Sequence, residues 1–186
     1  MLSDKETTAL SKFLSLVLRH KPQTINLTLD DNGWTSTEEL LEKMNNTGKT
    51  IDIDKLKYIV DTNAKKRFAF NNDFSSIRAS QGHSVSVELG YTPQEPPSIL
   101  YHGTAEKNIA SILSSGLVKG NRHHVLLSSN TNTAITVGSR HGKPVLLEVA
   151  AGQMHYDGHH LYVSENGVWL TEHVPSQYLK LLNNIK

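Results

Sequence analysis

Four basic positions and one glycine-centred block are the residues of this chain best suited to chemistry on an anion. Arg19 and His20 precede Lys21-Pro22, and Arg67 follows Lys65-Lys66. Arg122 lies in the run Gly120-Asn121-Arg122-His123-His124, and His102-Gly103-Thr104 follows the apolar run Ile99-Leu100-Tyr101. A phosphate monoester is a dianion with three acceptor oxygens. Arginine offers a planar fork that binds such oxygens bidentately and stays charged at every relevant pH. Hydrogen bonds to charged groups are worth roughly 1.5–3 kcal/mol each. Three arginines and a histidine can therefore fix one phosphate firmly if the fold brings them together. Spacing does not show that it does, and a cation of this kind taken singly is more often a solvated surface charge. The block at His102 also has two readings. One is a plain strand-to-helix turn. The other is a ligand contact, because a glycine admits close approach to the backbone and histidine and threonine can bond to a ribose or a carboxamide.

The elements that must position these residues follow from patterning. Leu10, Phe13, Leu14, Val17 and Leu18 recur along one helical face. Ser3 with Glu6 forms a capping box ahead of that helix, and Lys21-Pro22 ends it, because the residue before proline avoids the helical region. Arg19 and His20 therefore fall on its last turn. Asn32-Gly33 signals a turn. Ser36 with Glu39 is a second capping box for a helix bearing Leu40, Leu41 and Met44, and a third helix carries Leu56, Ile59 and Val60. Phe68 and Phe70, a polar turn at Asn71-Asn72-Asp73, then Ile77 and Ala79 read as a hairpin. Three helices followed by a hairpin is a winged-helix pattern. Tyr91 to Ser98 holds three prolines in eight residues and predicts an extended connector. The expected division is a winged-helix-like lobe over 1–90, a Pro-rich linker over 91–98 and a second lobe over 99–186. In that lobe the His102 block leads into a helix with Ile109, Ile112 and Leu113, closed by Gly116 as a left-handed cap. Val125-Leu126-Leu127, Val145 to Val149, Leu161-Tyr162-Val163 and Val168-Trp169-Leu170 read as strands. Short strands around two helices predict an α+β fold.

Composition narrows the function classes. The 186 residues include no cysteine, which excludes disulfides, thiolate nucleophiles and cysteine-ligated metals. Ten histidines are present, but His123-His124 and His159-His160 lack the i, i+4 spacing of helical metal ligands, so no metal is expected. Net charge is +1, which argues against bulk electrostatic capture of nucleic acid, so any nucleic-acid contact would rest on local basic clusters. No apolar run approaches ~18 residues, so no membrane span is expected. Met1 to Glu6 mixes charges and lacks the apolar core of a secretory signal. A soluble, cytoplasmic monomer is the expectation.

Taken together, Leu18-Arg19-His20-Lys21-Pro22, Lys65-Lys66-Arg67-Phe68, Tyr101-His102-Gly103-Thr104 and Arg122 to Ser128 resemble, in order and spacing, the RNA 2′-phosphotransferases of the KptA/tRNA 2′-phosphotransferase family. Ile77 to Ser84, ending in Gln-Gly-His-Ser, Val137 to Gly142, and Ser164 to Thr171 extend the resemblance across nearly the whole chain. It implies that Arg19, His20, Arg67 and Arg122 form a catalytic tetrad. It implies an ADP-ribosyltransferase-like split β-sheet for the second lobe, where His102, Gly103, Thr104, Ser128 and Arg140 contact NAD. The implied reaction removes an internal 2′-phosphate from RNA, with NAD consumed as co-substrate. An RNA-2′-phospho-ADP-ribose intermediate gives 2′-hydroxyl RNA, nicotinamide and ADP-ribose 1″,2″-cyclic phosphate. The family commonly carries a histidine where this chain has Leu126. Glu165 does not align with the late-strand glutamate of many ADP-ribosyltransferases. Val168 takes that place, and Glu165 is expected in a loop. Two other readings stay open: an ADP-ribosyltransferase acting on protein or on terminal nucleic-acid phosphates, and a non-enzymatic winged-helix nucleic-acid binder.

Overall fold

The first helix, α1, spans Asp4–Arg19 and is anchored at both ends as its sequence requires. Ser3 accepts from the Glu6 backbone N–H, and the Glu6 carboxylate accepts from the Ser3 N–H at 2.8 Å. Such a cap is worth about 0.5–2 kcal/mol. The apolar face matters more: Leu14, Val17 and Leu18 are fully buried, and each such side chain contributes about 1.5–3 kcal/mol. The computed structural model describes residues 2–182. The chain divides into two compact units, Met1–Gly90 and Tyr91–Lys186.

In the first unit α1 is followed by β1 (Thr35–Ser36), α2 (Thr37–Asn45), α3 (Ile53–Thr62), β2 (Phe68–Phe70) and β3 (Ser76–Ala79). Ser36 caps α2 by accepting from the Glu39 N–H, while the Glu39 carboxylate pairs with Lys43 rather than returning to the cap. β2 and β3 form the expected antiparallel hairpin, with Phe68 opposite Ala79 and Phe70 opposite Ile77. β1 adds a third strand on the other side of β3, Thr35 facing Ile77. The core gathers Leu14, Val17 and Leu18 of α1, Leu40 and Met44 of α2, Leu56 and Ile59 of α3, and Phe68 and Ile77 of the sheet.

The second unit is strand-rich. β4 (Leu100–Ala105) pairs antiparallel with β7 (Pro144–Val149), and β11 (Leu179–Leu182) flanks β7 on its far side. A separate sheet has the order β6 (Val125–Leu127), β9 (Trp169–Thr171), β8 (Leu161–Val163). A two-stranded pair joins β5 (Leu117–Val118) to β10 (His173–Val174). Among the described residues the α-helices of this unit are α4 (Ile109–Ser115), α5 (Thr131–Gly138) and α6 (Ala151–Tyr156), one more than expected. The Pro-rich segment falls in this unit, with Pro96 buried and the Gln94 N–H donating to the Leu161 carbonyl at 2.8 Å. The fold is therefore α+β, built on several small antiparallel sheets.

Of the two readings of His102-Gly103-Thr104, the plain strand-to-helix turn falls: the block is the middle of β4, His102 opposite Leu147 and Gly103 opposite Leu146. Two details of α4 also differ from expectation. Gly116 has φ +78° but ψ −175°, so it is a positive-φ terminus without the left-handed helical ψ. Leu113 is 47% exposed, so α4 turns Ile112 rather than Leu113 into the core.

Candidate active site

α1 ends where its cations begin. Arg19 is its last residue and His20 its C-cap. The Arg19 side chain is only 9% exposed. Its guanidinium donates to the Arg67 carbonyl at 3.2 Å and lies 5.9 Å above the Phe68 ring. The same Arg67 carbonyl accepts from the Ser80 N–H at 2.9 Å, and the Ser80 hydroxyl donates to the Lys66 carbonyl at 3.0 Å. Lys66 holds φ +42°, a left-handed turn immediately before Arg67. The segment after β3 then crosses back to α1. The Ser84 N–H donates to the Arg19 carbonyl at 2.8 Å, and the Ser84 hydroxyl lies 2.9 Å from His20 Nδ1. Arg19, His20, the Arg67 backbone and the Gln81-Gly82-His83-Ser84 segment are thus tied together within the first unit. His20 is exposed and Arg67 half-buried.

The second unit positions His102 with equal specificity. Its Nδ1 lies 3.0 Å from the Leu126 carbonyl, which can only accept, so Nδ1 carries the proton in that bond. Burial is the main cause holding the His102 pKa below its ordinary 6.5. The bond to Leu126 opposes that shift, and the Arg122 charge adds to it. The ring is therefore neutral at pH 7, with its Nε2 lone pair available to accept. Leu126 stands where a histidine was expected, and its main chain is what fixes the His102 ring.

Gly103 has two faces. A Cβ there would lie 1.7 Å from the Ala134 carbonyl oxygen, so its lack of a side chain lets α5 pack directly on β4. The close approach that glycine permits is thus already taken by a helix backbone, which leaves the buried peptide edge as its remaining polar face. That edge is favourably placed. Tyr101 exchanges two hydrogen bonds with Ser128, at 2.7 and 2.8 Å, through an isolated bridge. Peptide groups two residues apart on a strand point the same way, so Gly103 directs its N–H and C=O to that side, beyond the bridge.

The other expected cofactor residues sit close by in sequence but do different local work. Thr104 is 7% exposed, and its hydroxyl accepts from the Asn108 side chain at 3.1 Å. The Ser128 hydroxyl donates to the Asn130 carbonyl at 2.9 Å and accepts from the Asn130 N–H at 3.0 Å, shaping the entry to α5, whose cap is Asn130. Arg140 is exposed in the short 3-10 turn Ser139–His141 after α5. Arg122 is exposed on the loop between β5 and β6, where its N–H closes a turn onto the Lys119 carbonyl at 3.1 Å. Glu165 lies exposed in the turn between β8 and β9, the loop position expected of it.

Ser80 and Ser84 belong to the quoted Ile77 to Ser84 block but had no expected role; their hydrogen bonds hold the Lys66–Arg67 backbone and His20. Ser84 lies 64 residues from His20 in sequence, and nothing in local spacing links them. Among the described residues no three His, Asp or Glu side chains gather to hold a metal ion, and no helix is long and apolar enough to cross a membrane.

Comparison with known proteins places nearly the whole chain in one family. A family model described as RNA 2′-phosphotransferase, Tpt1/KptA family, matches residues 5–173. A Flavobacterium johnsoniae protein named probable RNA 2′-phosphotransferase is 52% identical over 172 residues, covering 92% of this chain and 94% of its own. Proteins of the same name from Agrobacterium fabrum and Pseudomonas aeruginosa are 51% and 50% identical, over 93% and 91% of this chain and 93% and 94% of theirs.

Proposed function

The chain belongs to the RNA 2′-phosphotransferase, Tpt1/KptA family, a family of transferases, and from that premise we propose that it removes an internal 2′-phosphate from RNA, of the tRNA splice-junction type, with NAD consumed as co-substrate. In this reading the first unit is a winged-helix-like lobe that binds RNA and phosphate. The second is an ADP-ribosyltransferase-like lobe with a split β-sheet that binds NAD.

One observation carries the NAD assignment: the adjacent His102 and Gly103 combine a neutral imidazole whose Nε2 can accept with a peptide N–H and C=O on the outer strand of its sheet, turned away from β7. A ribose hydroxyl can donate to Nε2. A carboxamide presents one acceptor and two donors, which matches a peptide edge. The residues present therefore fit the dinucleotide, with Ser128 and Arg140 as further assigned contacts. NAD supplies an electrophilic ribose carbon with a neutral leaving group.

Each step then makes a definite demand on the chain. An oxygen of the RNA 2′-phosphate forms a bond to C1″ while the glycosidic bond breaks and nicotinamide departs with its electron pair. The nucleophile is already an anion, so no base is needed. In the second step the ribose 2″-hydroxyl attacks phosphorus and the RNA 2′-oxygen leaves, taking up a proton. The products are 2′-hydroxyl RNA and ADP-ribose 1″,2″-cyclic phosphate. Charge concentrates on the phosphoryl oxygens here, where fixed cations act most strongly. Arg19, Arg67 and Arg122 are assigned to those oxygens. His20, exposed and held through Nδ1 by Ser84, is assigned to proton transfer or phosphate donation through its other nitrogen.

The test is nicotinamide release, measured by chromatography, with an RNA bearing one internal 2′-phosphate and with the same RNA lacking it. The expected result is one nicotinamide released per phosphate removed and almost none with the control. Equal release with both RNAs, or dephosphorylation without nicotinamide release, refutes the reading.

A further inference from the structure

The loop that carries Arg122 leaves and re-enters the fold at two neighbouring points of a single stretch of chain. It leaves from Val118, which pairs with His173, and returns at Val125, which pairs with Thr171. Glu172 is the one residue between those two pairings. It lies at the corner where the chain passes from the β6–β9–β8 sheet to the β5–β10 pair. Its carboxylate contacts both ends of the loop. Lys119, the first loop residue, donates to Oε2 at 2.5 Å, and His124, the last, places Nε2 3.7 Å from Oε1.

We propose that Glu172 is a positioning residue whose carboxylate clamps both ends of the 119–124 loop and so fixes the direction in which Arg122 is presented. The proposal rests on the assignment of Arg122 to the phosphoryl oxygens and adds the residue that holds it there.

Three features support it. The loop needs external restraint, because Gly120 at φ +59° has open space around its Cβ position, so no packing holds the apex there. Its internal closure is the turn from the Arg122 N–H to the Lys119 carbonyl, which fixes the turn but not its angle to the sheets. The hydrogen bond from Lys119 holds the Glu172 carboxyl below the usual carboxylate range, with the Lys119 charge acting the same way, so the carboxylate is anionic at neutral pH. At the far end the His124 ring is packed against Tyr162, centroids 5.6 Å apart, and Tyr91, at 6.2 Å. Burial holds the His124 ring below its ordinary 6.5, so at neutral pH it is an uncharged, anchored neighbour of the carboxylate and the Lys119 bond is the charged arm of the clamp. A single exposed ion pair contributes little to stability, so this device should show in loop order and catalysis rather than in melting temperature.

The experiment uses the full chain with Glu172→Gln, which keeps shape and removes charge, alongside Arg122→Ala and the double variant. Backbone ¹⁵N relaxation reads the order of residues 120–123. Single-turnover assays on 2′-phospho-RNA with NAD separate the two chemical steps. Glu172→Gln is expected to lower the order parameters of 120–123, to leave the melting temperature nearly unchanged, and to slow the second step about tenfold, with no further loss in the Arg122→Ala background. Unchanged loop order overturns the proposal, as does a loss that multiplies with that of Arg122→Ala. If the wild-type chain does not remove the 2′-phosphate with NAD, the functional reading fails. The relaxation measurement still decides whether Glu172 clamps the loop.

Discussion

Replacing Gly103 with alanine puts a methyl group where α5 already lies. The added carbon would sit 1.7 Å from the Ala134 carbonyl oxygen, 2.4 Å from its carbon and 3.2 Å from the Ala134 Cα. These are backbone atoms of a helix, not the tip of a flexible side chain, so the whole of α5 must retreat by about 1 Å or more from β4. Overpacking of this kind costs about 1–3 kcal/mol, and a rigid backbone obstacle places Gly103→Ala at or beyond the upper end. Two other glycines grade the scale. At Gly138 the added carbon meets Thr104 N at 2.8 Å and Gly103 C at 2.9 Å, a milder clash partly offset by the ~1 kcal/mol helix preference of alanine over glycine. At Gly120 nothing lies within 4 Å and only φ +59° opposes the change, a cost of about 1 kcal/mol. In a unit of 60–100 residues about 1 kcal/mol shifts the melting temperature by roughly 4–8 °C. Thermal unfolding followed by circular dichroism should therefore show Gly103→Ala lowered by about 12 °C or more, and Gly138→Ala and Gly120→Ala by a few degrees each. A Gly103→Ala protein melting within about 2 °C of wild type would refute the direct packing of α5 on β4.

Other consequences concern the assigned site. Arg122→Ala should impair the second step more than the first, so an RNA–ADP-ribose adduct should accumulate on denaturing gels; equal loss of both steps without adduct contradicts its role. Arg67→Lys keeps charge but loses the bidentate fork, and steady-state turnover at saturating NAD should fall at least about tenfold, roughly 1.4 kcal/mol. Near-equal turnover would mean that Arg67 acts through charge alone. Burial holds His102 below its ordinary 6.5, so its neutral state contributes stability that is fully present above 6.5 and lost as pH falls through the lower folded value. An NMR titration of the His102 ring with its inflection at or above 6.5 would contradict this.

Much of the first unit could be read from its sequence because its signals are local. The apolar face from Leu10 to Leu18, the Ser3–Glu6 cap and Pro22 bound α1, and Phe68 to Ala79 carry their own alternation and turn. β1 escaped notice because Thr35–Ser36 is two residues long and exists only by pairing with Ile77 and Ser76. β5 and β10 are equally short, α6 has only six residues, and none has a period long enough to detect. The candidate site divides the same way. Residue types and order pointed to Arg19, His20, Arg67, His102 and Arg122. What holds them lies far away in sequence: Ser84 against His20, the Leu126 carbonyl against His102, and Glu172 across the Arg122 loop. Gly103 was read for the space it gives a ligand, yet that space belongs to Ala134, a contact that no spacing encodes.

The central claim concerns the fate of one phosphorus atom. It can be followed by ³¹P NMR when the protein is incubated with NAD and a short RNA carrying a single internal 2′-phosphate. The monoester signal should be replaced by that of a five-membered cyclic phosphodiester on ADP-ribose, with no signal from inorganic phosphate and no reaction without NAD. Release of the phosphorus as inorganic phosphate, with or without NAD, would contradict it.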